Sequence, residues 1–493
     1  MKLQEYFLEK KHRDLYEMAV AAREILRDQE KVVIVSHNDA DGLSSSAIAK
    51  VTLDRAGISN EVIFVKNLDR DVLKSLPSGF KWFVDLGSGS MHMIRDSGIE
   101  CLITDHHVPD QFDVDEDHKR DILSFLEFSD FSKIYQVNPH LVGLNGSYDI
   151  SGSGCTFLVS LAFSEKNLDL VKPAIVGSVG DVQDANSGVL EGLNRVFLRI
   201  GQDARKVSVL EDLKFFGRTS RPLKRFLELG SDGIPGISNF YSGAGRLLNF
   251  LGIPVKDGEK YRVYNDLSEE EKRKLRTEVV GRFIIAGNND ISKLIGETYI
   301  FPDEDKNSPT WDAKEFATLL NSCGRYDQGI VGLMVAAGDR AEFYKKAISL
   351  MANHRKNLVN GYNQILSKGL KSLKNVDYFY AGKDINENIV GIIANMVLAK
   401  TGETMRPLVT MADSDPGTIK ISVRAGKSFL SSGIDLADLF RRAAVKTGGV
   451  GGGHDLAAGA NIPADRMGDF LKFIDEEIGH SIEVQEKTSR IRN

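Results

Sequence analysis

Residues Lys31 to Ala47 read KVVIVSHNDADGLSSSA, and the assignment of this stretch decides how the remainder of the chain is organised. Val32 to Val35 is an apolar run that predicts a buried strand. His37, Asp39 and Asp41 follow at alternate positions, then Gly42, and a small-residue helix pattern begins near Ser44. Three ionisable residues directly after an apolar strand cost too much to be packing. Alternation brings their side chains to one side of an extended segment, an arrangement suited to a divalent metal. The same letters also fit a polar turn with an Asp cap on the next helix, since Asp-Gly is common in turns. Taken alone, the stretch leaves both readings open.

Working outward, residues 1–30 are charged, with Leu15, Met18, Ala19, Ala22 and Ile25 at helical spacing, as expected of one or two surface helices covering a sheet. Downstream, Glu61–Val65, Phe80–Val84 and Ile99–Thr104 are further strand candidates separated by short helical patterns, which argues for a parallel α/β sheet. Acidic and imidazole residues recur at the ends of these strands: Asp39 and Asp41, then Asp85, then Asp105, His106 and His107. Ligands of parallel sheets gather beyond the carboxyl ends of strands. Crowded carboxylates repel, and a bound cation relieves the repulsion. Pro173–Val179 is expected as a further strand, ending in Gly180-Asp181 with Asp184 three residues on. Ser151-Gly152-Ser153-Gly154 would line a phosphate or simply open the helix Cys155–Ala162. Asp110–Asp121, with His118, is charge-rich and predicted to be a solvated insertion or flap.

The composition is ordinary for a globular chain, 42% hydrophobic and 27% charged. At 493 residues, two or three domains are expected. The net charge of -6 does not advertise a nucleic-acid binder, although local basic grooves and bound cations decide such contacts. Three scattered cysteines make no metal spacing and suggest a reducing, cytoplasmic setting. No signal core and no 18-residue apolar run is present, so no membrane association is expected.

Together these residues resemble the DHH phosphoesterase superfamily. His37-Asn38-Asp39-Ala40-Asp41-Gly42 looks like its first motif in the RecJ-like form, Asp85 like the second, Asp105-His106-His107 like the motif that names the group, and Asp181 like the fourth. Gly451-Gly452-Gly453-His454, followed by Ala457-Ala458-Gly459, resembles the glycine-rich signature of the DHH-associated substrate domain, and Ser422-Val423-Arg424 its nucleic-acid-contacting strand. Without the resemblance, Gly448–Gly453 would pass as a flexible loop. The nearest form is the archaeal RecJ-like single-strand exonuclease. The resemblance implies an α/β fold in three parts: a parallel-sheet catalytic domain over residues 1–200, a mostly helical middle region over 201–370, and a smaller α/β DHH-associated domain over 371–493.

The resemblance further implies two Mn2+ or Mg2+ ions held by Asp39, Asp41, Asp85, His106 and Asp181, with Asp85 bridging. His37 would either ligate or hydrogen-bond a ligand. His107 would sit by the scissile phosphate or behind the metal ligands, and Asp105 would orient a histidine or hold the turn. Arg424, Gly451, Gly452, Gly453 and His454 would place the terminal nucleotide. The implied activity is release of mononucleotides from single-stranded DNA or RNA entering between the two domains, in replication or repair. The implied partners are the GINS complex and, as a homo-oligomer, a second copy. The alternatives are hydrolysis of short oligonucleotides or cyclic dinucleotides, and a mainly structural replisome role.

In the middle region, Phe215, Phe216 and Gly217 beside Arg218, Arg221 and Arg225 suit either stacked bases and phosphates or ordinary packing. Arg325, in Asn321-Ser322-Cys323-Gly324-Arg325, would face substrate or cap a helix. The chain after Ser481 is charged and expected to fray.

Overall fold

A computed structural model describes residues 3–110, 133–185, 187–231, 234–237, 243–401, 406–454 and 456–492. The expected flap lies outside the described residues beyond Asp110, His118 included. The chain forms two compact units, Met1–Leu350 and Met351–Asn493.

The first unit is built on a five-stranded parallel sheet. Its strands are β1 (Lys31–His37), β2 (Ser59–Val65), β3 (Phe80–Val84), β4 (Cys101–Thr104) and β5 (Ile134–Val137), in the order β2-β1-β3-β4-β5. The order reverses between β1 and β3, the place where open α/β sheets present a ligand crevice at their carboxyl ends. Val32 to Val35 are fully buried because β1 is an interior strand covered by helices on both faces. Helix α1 (Lys10–Arg27) lies on the surface with Leu15, Ala19, Ala22 and Leu26 turned inward, as its spacing predicts.

Two local expectations change. The segment after β1 does not stay extended through Asp41: helix α2 (Ala40–Ala56) begins at Ala40, with Asp39 as its N-cap accepting from the Gly42 N–H. The cap reading is the one the structure bears out, and the same Asp39 is also a member of the acidic cluster. Pro173–Val179 is not a strand. After the short helices α3 (Arg70–Ser75) and α4 (Met91–Asp96) come α5 (Gly152–Phe163), α6 (Val171–Gly180) and α7 (Gly192–Asp203). Pro173 sits in the first turn of α6, where the missing N–H costs nothing. Residues Pro173 to Val179 of α6 are all buried, so no polar face marks its period, and a short apolar run of this kind cannot be told from a buried strand.

The middle region adds the antiparallel pair β6 (Ser208–Leu213) and β7 (Ile295–Ile300) and helices α8 (Leu223–Gly230), α9 (Gly243–Phe250) and α10 (Glu269–Ile285). These share a core that includes Phe226, Tyr264, Leu275 and Val279. Arg218 is buried in it, paired with Asp212 at 3.1 Å and Asp312 at 3.2 Å. Arg221 covers the Phe216 ring at 4.7 Å, and Arg225 pairs with Glu228. For Arg218 the packing reading is the correct one. Helices α11 (Ala313–Arg325) and α12 (Gly329–Ala336) return to the sheet, and α13 (Glu342–Lys368) carries the chain onward.

The second unit is a mixed six-stranded sheet of β8 (Lys371–Ser372), β9 (Asp377–Tyr380), β10 (Leu408–Asp413), β11 (Thr418–Arg424), β12 (Val450–His454) and β13 (Ala457–Pro463), ordered β8-β9-β10-β11-β13-β12. Helices α14 (Glu387–Thr401), α15 (Leu436–Lys446) and α16 (Met467–Arg492) complete it. Alternation along β10 sends Leu408 and Ala412 into one core with Ile389, Ile393 and Val397, and Val409 and Met411 into another with Phe440, Phe470 and Ile474. The glycine-rich segment is the edge strand β12 rather than a loop. A Cβ on Gly451 would stand 2.7 Å from the Phe440 carbonyl oxygen, so the missing side chain lets this strand lie flush on α15. The backbone of α16 stays helical past Ser481, to Arg492. No helix among the described residues is long and apolar enough to cross a membrane.

Candidate metal centre

The carboxyl ends of β1, β3 and β4, with the end of α6, bring His37, Asp39, Asp41, Asp85, His106 and Asp181 together. Asp85 follows β3 in a left-handed conformation, φ 60°, a strained backbone for a residue other than glycine. Its Oδ2 lies 3.6 Å from His37 Nδ1 and its Oδ1 lies 3.5 Å from His106 Nε2. His37 Nδ1 is also 3.0 Å from Asp39 Oδ2. Ligand atoms of His37, Asp39 and Asp85 form one group within 4.8 Å of one another, and those of Asp85, Asp105, His106 and His107 form a second. Asp85 is common to both.

Hydrogen bonds sort these residues. Asp105 is fully buried and saturated: Oδ1 accepts from the His106 and His107 N–H groups and faces His107 Nδ1 at 2.7 Å, while Oδ2 accepts from the Ser88 N–H. It holds the turn and orients His107. Asp41 accepts from Ser151 Oγ and from the Gly152 and Ser153 N–H groups. The N-terminus of α5 is therefore occupied by a carboxylate of the protein itself, and the reading of Ser151–Gly154 as a phosphate loop gives way to that. His106 Nδ1 sits 2.7 Å from the Gly146 carbonyl oxygen, which only accepts. Nδ1 thus carries a proton, and Nε2, which points toward Asp85 and Asp41, is the nitrogen that could bind a cation on losing its own.

Charge follows position. Burial, with the Asp41 and Asp39 charges added, pushes the Asp85 carboxyl up to about 8. Burial also lifts Asp181, reinforced by Asp41 and opposed by His106. Burial by itself would lower His37 and His106, but Asp39 and Asp85 around the first, and Asp85 and Asp181 around the second, raise both. Burial would raise Asp39 too, yet His37 and the Gly42 N–H hold it well below the usual range. The hydrogen bond to Asp105 raises His107. Four carboxylates and two imidazoles thus share a small space. Oδ1 of Asp85 is buried there without a hydrogen-bond partner. That orphaned oxygen and the mixed O/N donor set fit divalent cations.

Helix α11 closes the side of the site nearest β1. Asn321 Oδ1 accepts from the Ala40 N–H at 3.0 Å, and the Gly324 carbonyl accepts from Asn38 Nδ2 at 2.8 Å. Arg325 is half-buried; desolvation pushes its guanidinium down and the Asp39 charge pulls it back. Several supporting residues carried no sequence signal. Asn138 donates to Ser88 Oγ and to the His107 carbonyl, and Gln183 and Asn194 lie behind Asp181. A lone amide gives no pattern. Arg424 and Gly451–Gly453 belong to β11 and β12 of the second unit, and the side chain of His454 lies outside what the structure describes.

Comparison with known proteins agrees with this architecture. Residues 374–480 match the DHHA1 domain and residues 215–295 the DHH-CID domain. An uncharacterized protein of Methanocaldococcus jannaschii is 27% identical over 465 residues, spanning 93% of this chain and 95% of its own. The crystal structure of RecJ from Thermus thermophilus in complex with Mn2+ superposes with a TM-score of 0.55 at 19% identity, covering 94% of this chain and 55% of that one. CDC45 from Entamoeba histolytica superposes with a TM-score of 0.63 at 13% identity, over 95% and 99% of the two chains. The chain shares its fold with these RecJ and CDC45 structures: a parallel-sheet domain and a helical middle region, followed by a smaller domain that matches the DHHA1 model.

Proposed function

We propose that this protein is a divalent-metal-dependent phosphodiesterase that removes mononucleotides from single-stranded DNA or RNA. The observation that carries the proposal is Asp85, which offers one oxygen toward His37 and the other toward His106. A carboxylate shared by two donor groups is the arrangement expected of a two-cation site. In this reading Asp39, Asp41, Asp85, His106 and Asp181 hold Mn2+ or Mg2+, and His37 either ligates or steadies Asp39 and Asp85. When bound, the cations supply Lewis acidity to the phosphate and to the attacking water. His107, its Nδ1 engaged by Asp105, keeps Nε2 for a non-bridging phosphate oxygen. In the second unit, Arg424, Gly451, Gly452, Gly453 and His454 are assigned to the terminal nucleotide.

The resemblance of the metal motifs and the match to the DHHA1 domain support the assignment. Single-stranded DNA and RNA labelled at the 5′ or 3′ end, incubated with Mn2+ and with EDTA, test it. Metal-dependent release of mononucleotides that is lost in Asp85→Ala is expected. Normal degradation by a folded Asp85→Ala variant would overturn it, and a preference for the shortest members of a length series would favour the oligonucleotide alternative. Association with GINS belongs to the same proposal, and failure to recover GINS in a pull-down from native extract removes that part.

A further inference from the structure

Behind Asp181 the chain makes a turn that its sequence does not favour. Asp181, Val182 and Gln183 close α6 with N–H bonds to the Gly177, Val179 and Ser178 carbonyls. Val182 holds φ at 59°, a left-handed conformation that strains a β-branched residue. The turn leaves Val182 58% exposed and sends Gln183, 1% exposed, inward.

The surroundings of Gln183 fix its amide. The two N–H groups of Nε2 face three acceptors, the Gly146 carbonyl at 2.7 Å, Asp181 Oδ2 at 3.0 Å and the Ile150 carbonyl at 3.2 Å, so one of them is shared. All three are acceptors, so the nitrogen must face them. Oε1 accepts from Asn194 Nδ2 at 2.7 Å. Asn194 is set in turn by its Oδ1, which accepts from Ser178 Oγ at 2.8 Å. The Gly146 oxygen that takes one proton from Gln183 also faces Nδ1 of His106 at 2.7 Å. One neutral side chain therefore touches a candidate ligand, Asp181, and the carbonyl that sets the tautomer and rotation of a second, His106.

We propose that Gln183 is a positioning residue of the metal centre: its amide, anchored by Asn194, aims Asp181 and, through the Gly146 carbonyl, the Nε2 lone pair of His106. This rests on the reading that Asp181 and His106 hold a cation. Losing the hydrogen-bond partner of a ligand typically lowers metal affinity 10- to 100-fold. A role in packing alone would lower stability and leave the affinity of the folded protein unchanged.

The test is equilibrium binding of Mn2+ to the full chain, followed by the electron paramagnetic resonance of the free ion. Gln183→Met keeps the length and neutrality of the side chain and removes both amide functions. It is expected to weaken Mn2+ binding about 10- to 100-fold, and nuclease activity is expected to recover when Mn2+ is raised in the same proportion. Asn194→Ala leaves Gln183 without its anchor and is expected to weaken binding less. Wild-type affinity in folded Gln183→Met overturns the inference; if that variant does not fold, wild-type affinity in Asn194→Ala does so. Asp181→Asn is the control. If Asp181→Asn and Asp85→Asn both bind Mn2+ as the wild type does, the metal-site reading itself is wrong. If they lose binding while Gln183→Met keeps it, only the role of Gln183 falls.

Discussion

Oδ1 of Asp85 lies 3.5 Å from Nε2 of His106, buried and without a hydrogen-bond partner. A buried carboxylate oxygen in that condition is costly unless a cation completes it. Asp85→Asn removes the shared charge while keeping the shape. It is expected to abolish metal-dependent hydrolysis, to weaken Mn2+ binding at least 100-fold, and to leave the circular dichroism spectrum unchanged. Retention of tight binding for two ions, measured by calorimetry, would refute the bridging role.

The same carboxylate makes stability depend on pH. Burial and the neighbouring Asp41 and Asp39 raise it to about 8 in the cation-free protein, against about 3.9 in an unfolded chain. A raised acid contributes stability that is complete below the unfolded value and is lost as pH rises through the folded one. The raised His37, His106 and Asp181 act in the same direction. The cation-free protein should therefore melt at a lower temperature at pH 9 than at pH 6, and Asp85→Asn should flatten that slope. Mn2+ must displace the proton from Asp85, so its affinity should rise with pH over the same window. Thermal melts with EDTA and with Mn2+ measure both effects.

Val182 holds φ at 59° with its side chain exposed. Val182→Gly removes the steric penalty without opening a cavity. It is expected to stabilise the protein by about 1 kcal/mol, raising the melting temperature by about 2 °C, with unchanged activity. A destabilised variant would mean that the isopropyl group makes contacts worth more than the relieved strain.

A Cβ at Gly324 would stand 1.8 Å from the backbone oxygen of Asn38. No side-chain rotation relieves that contact, so Gly324→Ala must push α11 away from the loop that carries Asp39 and Asp41. Activity is expected to fall at least 100-fold although no proposed ligand changes. Asn321→Ala leaves only the Ala40 N–H without its partner and should cost about 1–3 kcal/mol, with a smaller loss of activity. Equal activity in Gly324→Ala and the wild type would show that the loop keeps its geometry without α11.

Much of the site was legible because its residues are costly anywhere else. An ionisable side chain directly after an apolar strand needs a reason, and Asp39, Asp85 and His106 announced one. Asp181 is singled out by motif order alone, and the strand expected ahead of it is a helix: α6 is buried along its length, so the polar face that reveals a helical period is missing. Gln183, Asn194 and Asn138 were invisible, because a neutral amide is equally ordinary on a surface and behind a ligand.

The opening stretch shows where that division lies. Sequence alone determined that Val32 to Val35 is a buried strand and that the charged residues after it need either solvent or a counter-charge, since both follow from local apolarity and the cost of burying charge. Only the tertiary structure decided that Asp39 serves as helix cap and cluster member at once, and that the N-terminus of α5 takes up Asp41 instead of a phosphate. It also set Asp85 between two histidines, one ending β1 and one in the turn after β4. Those outcomes depend on which strand ends lie side by side. That adjacency comes from the order β2-β1-β3-β4-β5, which is set by how whole helices and strands pack and not by any residue's immediate neighbours.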